Sequence, residues 1–302
     1  MKKSYTFILG NICMLIAALF WGLNVPITKV LIPDWMTGTG ISAVRLIGGC
    51  VLFWLVSLFV KKSRIDKSDW WRIILGGVVG LFGFIYLFVK SLSYGNPIDI
   101  SIIMTLPPMF VILISIIFLH DRPSWTEYAG VIISFIGAVI VIMDGKSGKA
   151  GSDDMLGDFL AVASTVCYAF YLVILQKPTQ KYPPTSLLRW VFLFAAIPAL
   201  ILVPGMQNEP IVHTSEAIPW LEISFILLCP TFVAYFLVQP AVKSIGSELV
   251  SLYQYILPVF ATIASVMMKI DTLRTMQVVA MAVIIIGMVL TNIGKKRRKS
   301  KQ

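Results

Sequence analysis

Ser101, Thr105 and Pro108 stand at spacings i, i+4 and i+7, and Ser251, Tyr255 and Pro258 repeat the pattern 150 residues later. On a helix this spacing puts each set along one face. Hydroxyls on such a face can hydrogen-bond a passing solute. Each proline also frees a carbonyl one turn earlier, near Met104 and Gln254. The same residues equally serve close helix packing and bending. Trp21 and Asn24 have counterparts in Tyr168 and Tyr171, where "GNICMLIAALFWG" parallels "GDFLAVASTVCYA". Such aromatics stack on an organic solute, fill core, or sit at an interface. Arg45 and Arg189 share a Ser-x-x-Arg pattern. They read first as snorkelling side chains or interhelical ties, and alternatively as partners of a carboxylate or phosphate. Tyr86, Tyr235, Gln239 and Gln254 are further polar groups inside apolar runs. Glu248 and Asp99 are the acidic residues nearest the two stripes, and no acidic residue is expected at mid-span.

Nothing in this set is arranged for catalysis. There is no HExxH, no paired carboxylates and no Cys/His spacing, so neither an enzyme, a metal nor a cofactor is expected. "GKSGK" (145–149) lacks the first glycine of a phosphate-binding loop, since Met143 stands there.

The elements that must position these residues follow from composition. The 302 residues are 58% apolar and 13% charged, far from the balance of a soluble domain. Ten apolar runs, about 7–30, 38–60, 70–90, 97–119, 126–143, 155–176, 185–203, 217–239, 247–268 and 274–293, each approach the ~20 residues needed to span a bilayer as a helix. The expected fold is therefore an all-α integral membrane protein. The first run continues past Trp21 with no small-residue cleavage site, so it reads as an uncleaved helix.

The net charge of +10 is a matter of topology rather than nucleic-acid binding. With the N-terminus cytoplasmic, 18 of the 25 Lys and Arg fall inside and 10 of the 15 Asp and Glu outside. That is the positive-inside pattern, with both termini cytoplasmic and the basic tail 294–302 at the inner surface. The expected partners are the lipid bilayer and a small-molecule solute, with no nucleic acid. Either a monomer or a homodimer fits.

The chain also repeats itself. Ser101/Ser251, Pro108/Pro258, Phe110/Phe260, Ser115/Ser265, Asp121/Asp271, Gly137/Gly287 and Val139/Val289 are identical pairs 150 residues apart. Two halves, 1–145 and 155–293, each hold five helices. An odd number inverts the second half, which places a site near mid-membrane between the halves and suits alternating access.

"FWGLNVPITKVLI", Arg45, and "LPPMFVILISIIFLHDRPSWTEYAGVIISFIGAVIVI" with its later counterpart resemble the two halves of an EamA-type transporter of the drug/metabolite transporter superfamily. The resemblance covers nearly the whole chain. It implies a secondary transporter in the plasma membrane, moving amino acids or related metabolites, with export favoured. Uptake or exchange of phosphorylated or nucleotide-linked metabolites is the alternative, and a non-transport membrane protein is a more distant one.

Overall fold

A computed structural model of the chain describes residues 2–60, 63–119, 123–147, 152–241, 244 and 253–299. Among them there is no strand. Eight helices are long and apolar enough to cross a membrane: α1 (Phe7–Leu31), α2 (Gly38–Phe59), α3 (Lys67–Tyr94), α4 (Pro97–Ile114), α5 (Trp125–Asp144), α6 (Asp154–Ile174), α7 (Pro184–Asn208) and α8 (Ala217–Ala241). Two shorter apolar helices follow, α9 (Tyr253–Met267) and α10 (Thr275–Thr291). Ten runs were expected. The ninth begins at 247, and residues 245–252 lie outside the described ones. The apolar part of α10 ends at Thr291, although the helix continues through the basic tail to Lys299.

Several helices depart from regular α geometry where the sequence demands it. α4 is two helices, Pro97–Ile103 and Pro107–Leu119, separated by a turn at Met104–Leu106. Pro107 cannot donate a backbone hydrogen bond, so the chain restarts there with proline in the first turn, where no donor is missed. α9 opens as a 3-10 turn over Tyr253–Ile256 and becomes α-helical from Leu257, with Pro258 in that first turn. The two irregularities thus fall at corresponding places in the repeat. α2, α3 and α8 carry wider π-helical stretches at Val44–Gly48, Gly76–Phe82 and Leu227–Val233. Such wide turns are often found where a helix contributes to a site.

Corresponding positions also make corresponding contacts between α5 and α10. A Cβ at Gly137 would meet Ile284 and Ala280, and one at Gly287 would meet Ser134 and Gly130. Subtracting 150 from each second-half number and adding it to each first-half number turns one set of contacts into the other. Ser134 even donates its hydroxyl to the carbonyl of its own counterpart, Ile284, at 3.4 Å. Each helix starts with the same cap: Glu127 accepts the Ser124 amide at 3.1 Å, and Gln277 accepts the Arg274 amide at 2.8 Å. A side chain three residues into the helix thereby satisfies a donor that the first turn leaves open.

The glycine face of α3 seats its neighbours. Gly80 lies against Tyr171 and Gly83 against Cys167 of α6, while Gly77 lies against Val191 and Phe194 of α7. This is a small-residue helix interface within one chain, where backbones approach because no side chain intervenes.

The α5–α10 crossing therefore leaves no room for a side chain at Gly130 or Gly287. Gly130→Ala and Gly287→Ala should each lower stability by about 1–3 kcal/mol through overpacking. The Cβ at Gly287 would sit 2.5 Å from the Ser134 amide, whereas one at Gly205 meets nothing within 4 Å. The thermal unfolding midpoint of the purified chain checks this: it should fall for the first two variants and hold for Gly205→Ala.

Candidate functional site

Trp21, Asn24, Val25, Arg45, Phe84, Phe88, Met104, Pro107, Tyr168, Gln254 and Leu257 line one cavity. They come from α1, α2, α3, α4, α6 and α9. The cavity measures about 40 Å³, room for a few waters and too little for an organic solute. Both breaks contribute to the wall. Met104 and Pro107 stand at the interruption of α4, and Gln254 and Leu257 at the start of α9. Irregular backbone at membrane depth is tolerated where it is buried in protein or lines a cavity.

The polar wall is organised by α8. Pro230 has no N–H, so the carbonyl of Ile226 lacks its usual donor. The Thr231 hydroxyl supplies one at 2.8 Å. With that proton committed, Thr231 Oγ1 accepts from Arg45 Nε at 2.9 Å. The Pro230 carbonyl in turn accepts the Trp21 indole N–H at 3.1 Å. One proline and one threonine thereby orient two cavity side chains.

Arg45 is 2% exposed. Its guanidinium lies 5.9 Å from the Phe88 ring centre, and its Nη1 is buried with no hydrogen-bond partner. Also in the lining, Gln254 donates to the Tyr168 hydroxyl over a long 3.4 Å, and its amide oxygen has no partner among the described residues. Tyr168 stacks on Tyr171 with centroids 5.9 Å apart. Tyr171 meets Tyr235 edge-on, as does Trp21 at 6.0 Å.

The structure thus brings together Trp21, Asn24, Arg45, Tyr168 and Gln254 at the cavity, with Tyr171 and Tyr235 forming a second layer of rings behind them. Other candidates stand apart from the lining. Ser101, Thr105 and Pro108 do not share the one helix face expected, because Ser101 lies in the helix ending at Ile103, Thr105 in the turn and Pro108 in the next helix. The buried Ser101 and Thr105 hydroxyls donate to the carbonyls of Ile98 and Ile102, at 2.7 and 2.6 Å. Pro108 and Pro258 shape the breaks, while Pro107 and Leu257 reach the cavity. Tyr86 stacks on Phe82, Gln239 is buried in α8, and Tyr255 is half-buried against the core. Arg189 lies against the packed pair of Trp54 and Trp190 rings, 5.5 and 5.4 Å from their centres, away from the cavity. Glu248 and Ser251 lie outside the described residues.

Two polar clusters at the bundle ends were not anticipated. At one end Lys181 pairs with Asp69 at 2.7 Å and with Asp66, and the Tyr182 hydroxyl donates to Asp69 at 2.6 Å. Hydrogen bonding to Asp66 and then Asp69 holds the Lys181 ammonium above its ordinary range. At the other end Arg274 bridges Asp99 at 2.5 Å and Asp144 at 3.0 Å, and Gln277 donates to Asp99 at 2.7 Å. Asp271 lies beside this second cluster, and burial raises its carboxyl above the usual range.

Membrane-crossing helices around a mostly apolar cavity that carries a few polar side chains define a membrane protein with a transporter's layout. The sequence pattern of the EamA-like transporter family matches the chain twice, over residues 8–143 and 155–293. The chain belongs to the EamA-like transporter family. It is 28% identical over 237 residues to the uncharacterized transporter YyaM of Bacillus subtilis, covering 78% of this chain and 76% of that one. Another B. subtilis protein, the uncharacterized transporter YrdR, is 24% identical and matches 100% of this chain and 96% of its own. An uncharacterized transporter of Clostridium kluyveri is 23% identical over 98% and 95% of the two chains. A solved crystal structure superposes with a TM-score of 0.64 over 96% of this chain and 98% of that one, at 18% identity. It supports the fold.

Lining and non-lining residues should separate in function. Trp21→Ala removes a cavity ring and its bond to Pro230, a loss of ~1–1.5 kcal/mol in solute contact that amounts to about tenfold in flux. Ser101→Ala alters a hydroxyl already satisfied by its own helix and should leave flux unchanged. Solute flux in membrane vesicles, normalised to protein abundance, checks both.

Proposed function

We propose that the chain is a secondary transporter that moves a small organic solute, an amino acid or related metabolite, outward across the plasma membrane. The architecture proposed is ten transmembrane helices in two inverted five-helix repeats, 1–145 and 155–293, with both termini cytoplasmic. Access to the cavity alternates between the two membrane faces.

One observation carries this reading. The cavity lining contains three pairs of corresponding residues, Trp21 with Tyr168, Met104 with Gln254, and Pro107 with Leu257. A residue and its counterpart can share one small cavity only where the symmetry axis relating the halves passes close by. A site on that axis can be opened toward either face by similar motions of the two halves. The mirrored α5–α10 contacts support the same axis, and the family's two matching segments have nearly the same boundaries as the halves. The narrow cavity between two tied ends is the form expected when neither face is open.

No acidic residue lines the cavity among the described residues, so flux should depend weakly on a proton gradient. Everted vesicles carrying the chain, given a mixture of amino acids and small organic metabolites under separately imposed proton, sodium and voltage gradients, test the reading. Accumulation of one solute or a few related ones, above vesicles lacking the chain, is the expected result. Equal accumulation with and without the chain contradicts transport. Accumulation abolished by removing the proton gradient alone, at constant voltage, contradicts the coupling.

A further inference from the structure

Arg45 is in an unusual position for an arginine in a membrane. It is 2% exposed, it lines the cavity, and it forms no ion pair among the described residues. Among the described residues its only hydrogen bond is from Nε to Thr231, a neutral acceptor. Nη1 is enclosed without a partner. A buried guanidinium normally finds a carboxylate or a set of carbonyls, because an uncompensated charge in a low-dielectric interior is destabilising. The contrast with Arg189 sharpens the point. The two arginines occupy corresponding sequence positions, yet Arg189 lies against Trp54 and Trp190 and does not reach the cavity. Among the described residues the cavity lining therefore holds one cation, unpaired.

We infer that Arg45 is the anchor for a single carboxylate on the transported solute, whose apolar part rests among Trp21, Phe84, Phe88 and Tyr168. The inference builds on the transport reading and names the chemistry of the site that reading describes. Guanidinium N–H groups diverge in a plane, and with Nε held by Thr231 the outer nitrogens remain to grip the two oxygens of a carboxylate. One cation balances one negative charge, so a carboxylate fits better than a phosphate dianion, which would leave a charge unmatched in the same dry space. The rings supply apolar area and π-faces. The free amide oxygen of Gln254 accepts a hydrogen bond from a donor on the same solute, such as an amino group. Thr231 and Pro230 act through other residues: they hold Arg45 and Trp21 in position.

The test pairs two measurements on the full-length chain. First, everted vesicles receive an equimolar mixture of L-amino acids and the corresponding C-terminal amides, and contents are read by mass spectrometry. The acids should accumulate at least about tenfold over their amides, because an amide leaves the buried charge unpaired. Second, Arg45→Met is compared with wild type for flux and for the thermal midpoint of the solute-free protein. Flux should fall at least about tenfold while the midpoint holds or rises, since methionine removes an uncompensated charge at similar volume. Arg45→Lys should keep part of the flux. Amides accumulating as well as acids would overturn the inference and leave transport standing. So would an Arg45→Met protein with normal flux, or one whose midpoint falls sharply, which would make Arg45 a structural tie. If no member of the mixture accumulates in wild-type vesicles, the transport reading fails and the inference fails with it.

Discussion

The hydrocarbon core of a bilayer offers no water to satisfy backbone N–H and C=O groups, so the chain must satisfy them within itself. Everything else in this structure is arranged around that constraint. Helices solve it along most of the length. At Met104–Leu106 and Tyr253–Ile256 the chain gives up regular α-helix, and these are the places where the interior cavity lies. In α8 the constraint acts through Pro230: it removes the α-helical donor of the Ile226 carbonyl, the helix widens there, and the Thr231 hydroxyl that also bonds this carbonyl holds Arg45. A backbone requirement thus becomes a site geometry.

Repetition multiplies such solutions. Ser124 with Glu127 and Arg274 with Gln277 build one cap twice from different residues. Gly137 and Gly287 make the same close approach from opposite sides of one helix pair. The cavity wall departs from this symmetry where the chemistry is strongest. Arg45 faces the cavity and Arg189 a pair of tryptophan rings; Met104 is apolar where Gln254 is polar. Two similar halves provide the frame, and their differences provide a site with one cationic group and one neutral polar group.

Much of the frame was legible in the sequence because it rests on periodicity and composition. Apolar runs located the helices, and the prolines at 108 and 258 marked where α4 and α9 would be irregular. The site was legible only in part. Helical spacing put Ser101, Thr105 and Pro108 on one face, but the break at Met104–Leu106 leaves Thr105 in a turn and Pro108 in the next helix, and both hydroxyls bond a carbonyl three residues back. Met104, Phe84, Phe88 and Leu257 carry no reactive group, so only their convergence marks them. Arg45 and Arg189 were indistinguishable by pattern, since what separates them is the neighbour each meets: Thr231 for one, a pair of tryptophans for the other. "CPTF" (229–232) was the overlooked signal, a proline followed by a hydroxyl in mid-helix. The end clusters around Asp69 and Asp99 escaped notice because they join residues 112 and 175 positions apart in the chain.

The central claim is that one cavity on the axis between two halves is reached from each face in turn. Paired spin labels measure this most directly, one pair at Arg64 and Lys177 beside the Asp69 cluster and one at Tyr94 and Thr272 beside the Asp99 cluster. As solute and gradients shift the population, the account predicts that one distance lengthens while the other shortens. Two distances that stay fixed, or that rise and fall together under every condition, would contradict it.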